Sequence, residues 1–369
     1  MTINSSQNIA YIGRMDHLRF YAAALVVIYH GFVESMGHFG ETSSNPIKGI
    51  FMQGHTGVGL FLVLSGFLFG SIGDGKNIHY GKYIFNRVVR IYPLYIFAII
   101  LAVSMNYNSY SSVQTLLLSL PIFSLSELSK LPMFGQLWTI AVEFQFYMIF
   151  PFIMMAINMK GIRYAFLMLG LTVFLKLWIF VLNGTVREIS YMTLIGRIDQ
   201  FLVGMIIAHF MTRNKNAVSN PVHLFLSSMA VLSTMLAFNK AGGYFGTPHL
   251  SFWVIWPTIE ALMWGYFACA YMRCSLNIAS VIDEKLRFLG ETSYSIYIMH
   301  MVAISFVYKI IPRLNLTGIE KTDALVTSVF IAFPASILLA CATFYLIERP
   351  FFHFKMKYTA PIKNSAPVT

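Results

Sequence analysis

Long apolar runs, each about the length of a bilayer-crossing helix, recur along this chain with short polar stretches between them. A helix rising 1.5 Å per residue needs about 20 mostly apolar residues to cross hydrocarbon. Windows of that kind fall at about ten places: 16–35, 50–72, 91–107, 136–158, 162–183, 195–212, 221–239, 250–272, 288–311 and 323–346. In lipid each unpaired backbone N–H or C=O costs on the order of several kcal/mol, so spanning segments must be helices or a closed barrel. Barrel strands read as roughly ten residues of alternating polarity, which these continuous runs do not. The pattern therefore predicts an all-α, polytopic transmembrane helical bundle of about ten spans. It forms one domain over residues 1–358, with a disordered tail, rich in small residues and proline, over 359–369.

Composition agrees: 57% of the 369 residues are hydrophobic and 11% charged, against about 25% charged in soluble domains. So much apolar surface needs lipid as a partner. The formal charge of +11 does not indicate nucleic acid, because the basic residues lie between apolar runs and form no basic domain. With both ends placed inside, seventeen of the 26 Lys and Arg fall in inner segments, eight in outer ones and one, Lys176, within a span. The positive-inside rule then puts both termini in the cytoplasm and the basic residues against anionic headgroups. Cys269, Cys274 and Cys341 lack CxxC spacing, so neither a metal site nor a disulfide framework is expected. The apolar stretch after Arg14 and Arg19 is not followed by a small-x-small cleavage site and is read as a retained first span.

Ionisable residues inside the spans are the candidates for chemistry, since charge in hydrocarbon is costly and is kept for function. The first span, MDHLRFYAAALVVIYHGF, holds Arg19 and His30 eleven residues apart. That is about three turns, so both side chains share a face, roughly 16 Å apart along the axis. His30 is a candidate general base, or alternatively a histidine bonded to a neighbouring helix. In GQLWTIAVEFQFYMIFP, Glu143 lies about two turns into an apolar helix. It must be protonated, paired or facing a polar cavity, and it is expected to pair with His30 or else to bridge helices. Between the second and third spans, Arg87 and Arg90 in RVVRIYP lie three apart on a helix. They make a fork for phosphate oxygens, or else snorkel to the membrane surface. Arg197 and Asp199 in GRIDQFLVG are candidates for holding acceptor hydroxyls, with a structural salt bridge as the alternative. Ser293, Tyr297 and His300 step along one face of GETSYSIYIMHM and are expected to line the same cavity. The small residues of GHTGVGLFLVLSGFLFG allow close helix packing, and His55 and Ser65 add polar groups there.

Seven segments in order, MDHLRFYAAALVVIYH, GVGLFLVLSGFLFG, RVVRIYP, LWTIAVEFQFYMIFP, GRIDQFLVG, LGETSYSIYIMH and YLIERPF, resemble the acyltransferase-3 family over nearly the whole chain. These are bacterial integral-membrane acyltransferases that often O-acetylate cell-surface carbohydrates. The resemblance implies an inner-membrane location, an acetyl-coenzyme A donor substrate delivered from the cytoplasm, and a carbohydrate acceptor. Arg19, Arg87 and Arg90 match the family's conserved basic positions, His30 its catalytic position and Glu143 another conserved site. His30 would act either as general base on a sugar hydroxyl or as covalent carrier of the acyl group. The sequence contains no hydrolase-like domain such as some members append, so the acceptor is expected to be handled within the membrane domain or its outer loops. Two other readings stay open: acyl transfer to a small secreted molecule, and a proton-coupled secondary transporter.

Overall fold

The computed structural model describes residues 8, 10–40, 45–105, 107–122, 128–214, 218–246, 251–311 and 313–362. The principal helices are α1 (Gly13–Met36), α2 (Pro46–Met52), α3 (Gly57–Gly73), α4 (Tyr80–Met105), α5 (Ser112–Ser119), α6 (Trp138–Lys160) and α7 (Arg163–Asn183). They continue with α8 (Arg187–Met192), α9 (Leu194–Arg213), α10 (Pro221–Lys240), α11 (Trp256–Arg273), α12 (Ser280–Glu291), α13 (Ser293–Ile310) and the long α14 (Glu320–Phe354). Two three-residue strands, β1 (Lys76–Ile78) and β2 (Thr359–Pro361), pair antiparallel. The chain is thus ordered into the segment expected to be a disordered tail; residues 363–369 of that tail lie outside the described residues.

Among the described residues, seven helices are long and apolar enough to cross a membrane: α3, α4, α6, α7, α9, α10 and α14. The other three of the ten expected windows coincide with α1, α11 and α13, of 24, 18 and 18 residues. These three hold several of the bundle's polar side chains. Asp16, His17 and Arg19 with His30 lie on α1, Glu260 on α11 and His300 on α13, and such residues lower their hydropathy. The window expected at 91–107 begins eleven residues earlier, at Tyr80, so Arg87 and Arg90 lie inside a long helix that runs on through Pro93.

Side-chain ties sort the connections into two faces. On the amino-terminal face Lys76 Nζ reaches the Asn8 carbonyl, Arg14 donates to the carbonyls of Tyr271 and Leu276, and Arg213 pairs with Asp74. On the opposite face Lys48 donates to Thr322, Gln53 to Asn239, and Arg187 to the carbonyls of Tyr244 and Gly246.

Close backbone approach holds the centre. A Cβ built on Gly66 of α3 would stand 2.1 Å from the Phe201 carbonyl oxygen of α9, and one on Gly204 of α9 would stand 2.2 Å from that of Val63. Small residues let helices meet at this distance, where dispersion and weak C–H···O contacts replace the absent hydrophobic drive. Gly204→Ala is therefore expected to destabilise the bundle by about 1–3 kcal/mol, as overpacking does. Gly170→Ala in α7, with open space at its Cβ, should be neutral or slightly stabilising, since Ala favours helix by about 1 kcal/mol. Thermal unfolding of the two variants in lipid nanodiscs checks this; equal losses would refute the close-contact account.

Candidate active site

Helix α1 is continuous from Arg19 to His30, so the two side chains sit on one face as the spacing requires. Each lines a different cavity. The first cavity is bounded by Arg19, Ser65, Arg87, Arg90, Glu143 and Tyr147 among others; His30 lines the second. Val58 and Tyr297 belong to the walls of both. Tyr297 is fixed there by Thr139, whose hydroxyl donates to the phenol oxygen at 2.9 Å.

The first cavity is cationic. Arg87 and Arg90, one turn apart on α4, both face it. Among the described residues neither makes a hydrogen bond or ion pair; Arg87 rests its guanidinium 5.1 Å from the Phe69 ring centre and its buried Nε has no partner. Two half-buried guanidiniums without a hydrogen-bond partner pay desolvation that an anion bound to them would offset. Arg19 is partly compensated, donating to Asp16 at 3.0 Å. Lys355, from just past α14, does not line this cavity but lies close enough for its cations to act on it. Asn86 of α4 holds this segment by donating to the Met356 carbonyl at 2.6 Å and accepting from the Met356 N–H at 2.9 Å. Burial first, and then the positive charges of Arg90 and Arg87, push the Lys355 ammonium down to about 7.

Glu143 does not pair with His30. It lies in the first cavity, where Ser65 donates to its Oε1 at 2.8 Å and Tyr147, one turn along α6, donates to the same oxygen. His30 bonds His300 instead, Nδ1 to Nε2 at 3.0 Å, and His300 Nδ1 lies 2.7 Å from the Tyr297 carbonyl. This chain assigns the tautomers. A carbonyl only accepts, so His300 Nδ1 carries a proton and its Nε2, in the neutral ring, accepts one from His30 Nδ1. His30 Nε2 is left unprotonated, on a ring that lines the second cavity.

The remaining expectations resolve differently. Ser293 and Tyr297 line the first cavity, but His300 is fully buried behind His30 and lines neither. Arg197 and Asp199 point apart, as residues two apart on a helix must, and neither lines either of these two cavities. Arg197 pairs with Glu260 at 2.9 Å and donates to the Tyr191 carbonyl; Asp199 pairs with Lys176 at 2.7 Å and accepts from Thr258. All four ionised side chains are buried, so these are bridges between helices, the structural alternative for that motif. Spacing alone did not bring out Tyr147, although its i+4 relation to Glu143 was available in the sequence. The contribution of Lys355 depends on the return of the chain after α14.

Comparison with known proteins places this arrangement. A family model described as an acyltransferase domain, that of the acyltransferase-3 family, matches residues 12–347. A Staphylococcus aureus (strain COL) protein with a provisional O-acetyltransferase name is 24% identical, over 92% of this chain and 57% of its own length. The exopolysaccharide production protein ExoZ of Rhizobium meliloti (strain 1021) is 26% identical, over 81% of this chain and 90% of its own length. An Acidianus two-tailed virus protein with a provisional acetyltransferase name is 25% identical, over 79% of this chain. The chain spans little more than half the length of the S. aureus relative. No solved structure matches it.

Proposed function

Because the chain belongs to the acyltransferase-3 family, we propose that it is a membrane O-acyltransferase carrying an acetyl or other short acyl group from acyl-coenzyme A to a hydroxyl of a cell-surface or lipid-linked carbohydrate. The observation that carries this is the pair of adjoining cavities: unpaired guanidiniums in one, an imidazole with a free ring nitrogen in the other, and Val58 and Tyr297 in the walls of both.

The amino-terminal face, with the basic ends of most helices, is the cytoplasmic side of a ten-span bundle that includes α1, α11 and α13. Coenzyme A has its phosphates on the nucleotide and its thioester at the end of a long arm. Phosphates on Arg87, Arg90 and Arg19 direct that arm past Glu143 and Tyr147 toward Tyr297. Glu143 then serves the donor channel, balancing its cations and holding Ser65 and Tyr147, and does not orient His30. At the junction His30 Nε2 takes the proton of the acceptor hydroxyl, the hydroxyl oxygen forms a bond to the acyl carbon, the carbon–sulfur bond breaks, and the thiolate recovers the proton. ExoZ, named for exopolysaccharide production, supports a carbohydrate acceptor.

Inverted membrane vesicles, loaded with acceptor glycan and supplied outside with radiolabelled acetyl-coenzyme A, test the proposal. Label is expected on luminal glycan as an ester that mild base removes. Label found only on base-stable amides, or left on coenzyme A, would sink it.

A further inference from the structure

Val58 and Tyr297 line both cavities, so they mark where the arginine side and the His30 side meet. Both side chains are buried, and neither is free to move. Val58 is the second residue of α3, and the chain entering that helix is pressed on α1. A Cβ built on Gly54 would stand 2.3 Å from the Leu25 carbonyl oxygen, and one on Gly57 would stand 2.5 Å from that of Ala22. Gly57 immediately precedes Val58, so this contact fixes the Val58 backbone against the helix that carries His30. A valine in a helix also keeps essentially one rotamer, because both of its methyl groups stand on Cβ.

Tyr297 is held at three points. Its phenol is hydrogen-bonded to Thr139 at 2.9 Å, its carbonyl lies 2.7 Å from His300 Nδ1, and its ring meets that of Phe61 edge-on, with centres 5.8 Å apart. Phe61 lies one turn after Val58 on α3, so the last contact seats Tyr297 against the same stretch of helix. Close-packed groups of this kind yield little to an oversized guest. A thioester that reaches them has its place set from behind, because the phosphates of its carrier are gripped at Arg87 and Arg90 and the arm between has a fixed reach. Its carbonyl carbon must meet a hydroxyl at His30, which leaves the acyl tail beside Val58 and Tyr297. With the arm in the first cavity and the acceptor in the second, each added methylene presses on this pair.

Resting on the acyl transfer proposed above, the geometry points to Val58 as the residue that sets the length of the acyl group: an acetyl or propionyl tail fits beside it, and longer tails do not. The filter acts on the donor, whatever compound supplies the hydroxyl. A pocket separates groups that differ by one methylene by about 10- to 200-fold, so a hexanoyl tail should be refused.

The test presents acetyl-, propionyl- and hexanoyl-coenzyme A in competition, at equal concentrations, to the full chain in inverted membrane vesicles loaded with polysaccharide from the surface of the same cells. Mild base releases the esters formed, and the acids are counted. Their ratio gives relative kcat/KM and does not depend on how much of a variant is folded. Wild type is expected to favour acetyl over hexanoyl by about a hundredfold or more, and Val58→Ala should lower that ratio about tenfold or more. Val58→Leu should move the other way, sharpening acetyl over propionyl by about tenfold. Val63→Ala makes the same change further along α3, in neither cavity wall, and should keep the wild-type ratios. Equal use of hexanoyl by wild type overturns the filter. So does an unchanged ratio in Val58→Ala, a shift of the same sign in Val58→Leu, or an equal shift in Val63→Ala. If wild type forms esters from none of the donors, the acyltransferase proposal itself fails, and the filter with it.

Discussion

Replacing His30 with alanine is expected to lower acyl transfer on the order of 10²- to 10⁴-fold, the range that a positioned general base supplies. The change should fall in kcat. The donor cations line the other cavity, so the KM for acetyl-coenzyme A should stay near its wild-type value; a rise in KM with kcat intact would remove His30 from the reaction. Added imidazole should restore part of the rate by filling the space left at α1. His300 supplies the contrast. It lines neither of the two cavities, but accepts the His30 Nδ1 proton at 3.0 Å and so keeps Nε2 available. His300→Phe removes that acceptor and should cost on the order of 10- to 100-fold in kcat, comparable to losing the orienting partner of a metal-bound histidine. His300→Gln, whose amide oxygen can accept the same proton, should recover part of it. A purely structural role for His300 would show the same loss in both variants. If His30 instead carries the acyl group, labelled protein should accumulate when acetyl-coenzyme A is supplied without acceptor; a general base leaves the protein unlabelled.

Features that depend on one helix were legible in the sequence. Arg19 and His30 share a face because eleven residues make three turns, and Arg87 and Arg90 share one because three make nearly one. Positions of most spanning helices followed from apolar length, whereas the basic start of α4 hid the true beginning of that helix. Contacts between helices were less legible. Glu143 was matched with the nearest base in chemical terms, but Ser65 and Tyr147 satisfy it, and His30 turns to a histidine 270 residues away. Spacing alone makes Arg197 and Asp199 look like ligands for acceptor hydroxyls, whereas each is paired across helices. Lys176 and Glu260, lone charges in apolar runs, could have signalled their partners by charge alone, since a buried ion without a partner is too costly to keep.

Arg87→Gln together with Arg90→Gln should weaken acetyl-coenzyme A binding by on the order of 10²-fold or more, since charge-assisted hydrogen bonds contribute about 1.5–3 kcal/mol each. The loss should appear in KM, with kcat at saturation retained, because phosphate contacts far from the reacting carbon act equally on ground and transition states. Stability should move the other way. Without donor, each guanidinium is a half-buried charge with no hydrogen-bond partner among the described residues, so the double variant should melt at the same temperature as wild type or higher, yet lose the stabilisation that donor confers on wild type. Destabilised apo protein would instead make these arginines structural. Lys355 adds a pH signature. Its ammonium, pushed down to about 7, is charged below that pH and must take up a proton to meet phosphate above it. Donor affinity should hold steady below about pH 7 and weaken above it, by at most tenfold per pH unit for one proton. Lys355→Met should flatten this dependence, while an unaltered slope in that variant would move the titrating group elsewhere. Because burial limits screening, raising salt should weaken binding less than it would for exposed lysines on the same face.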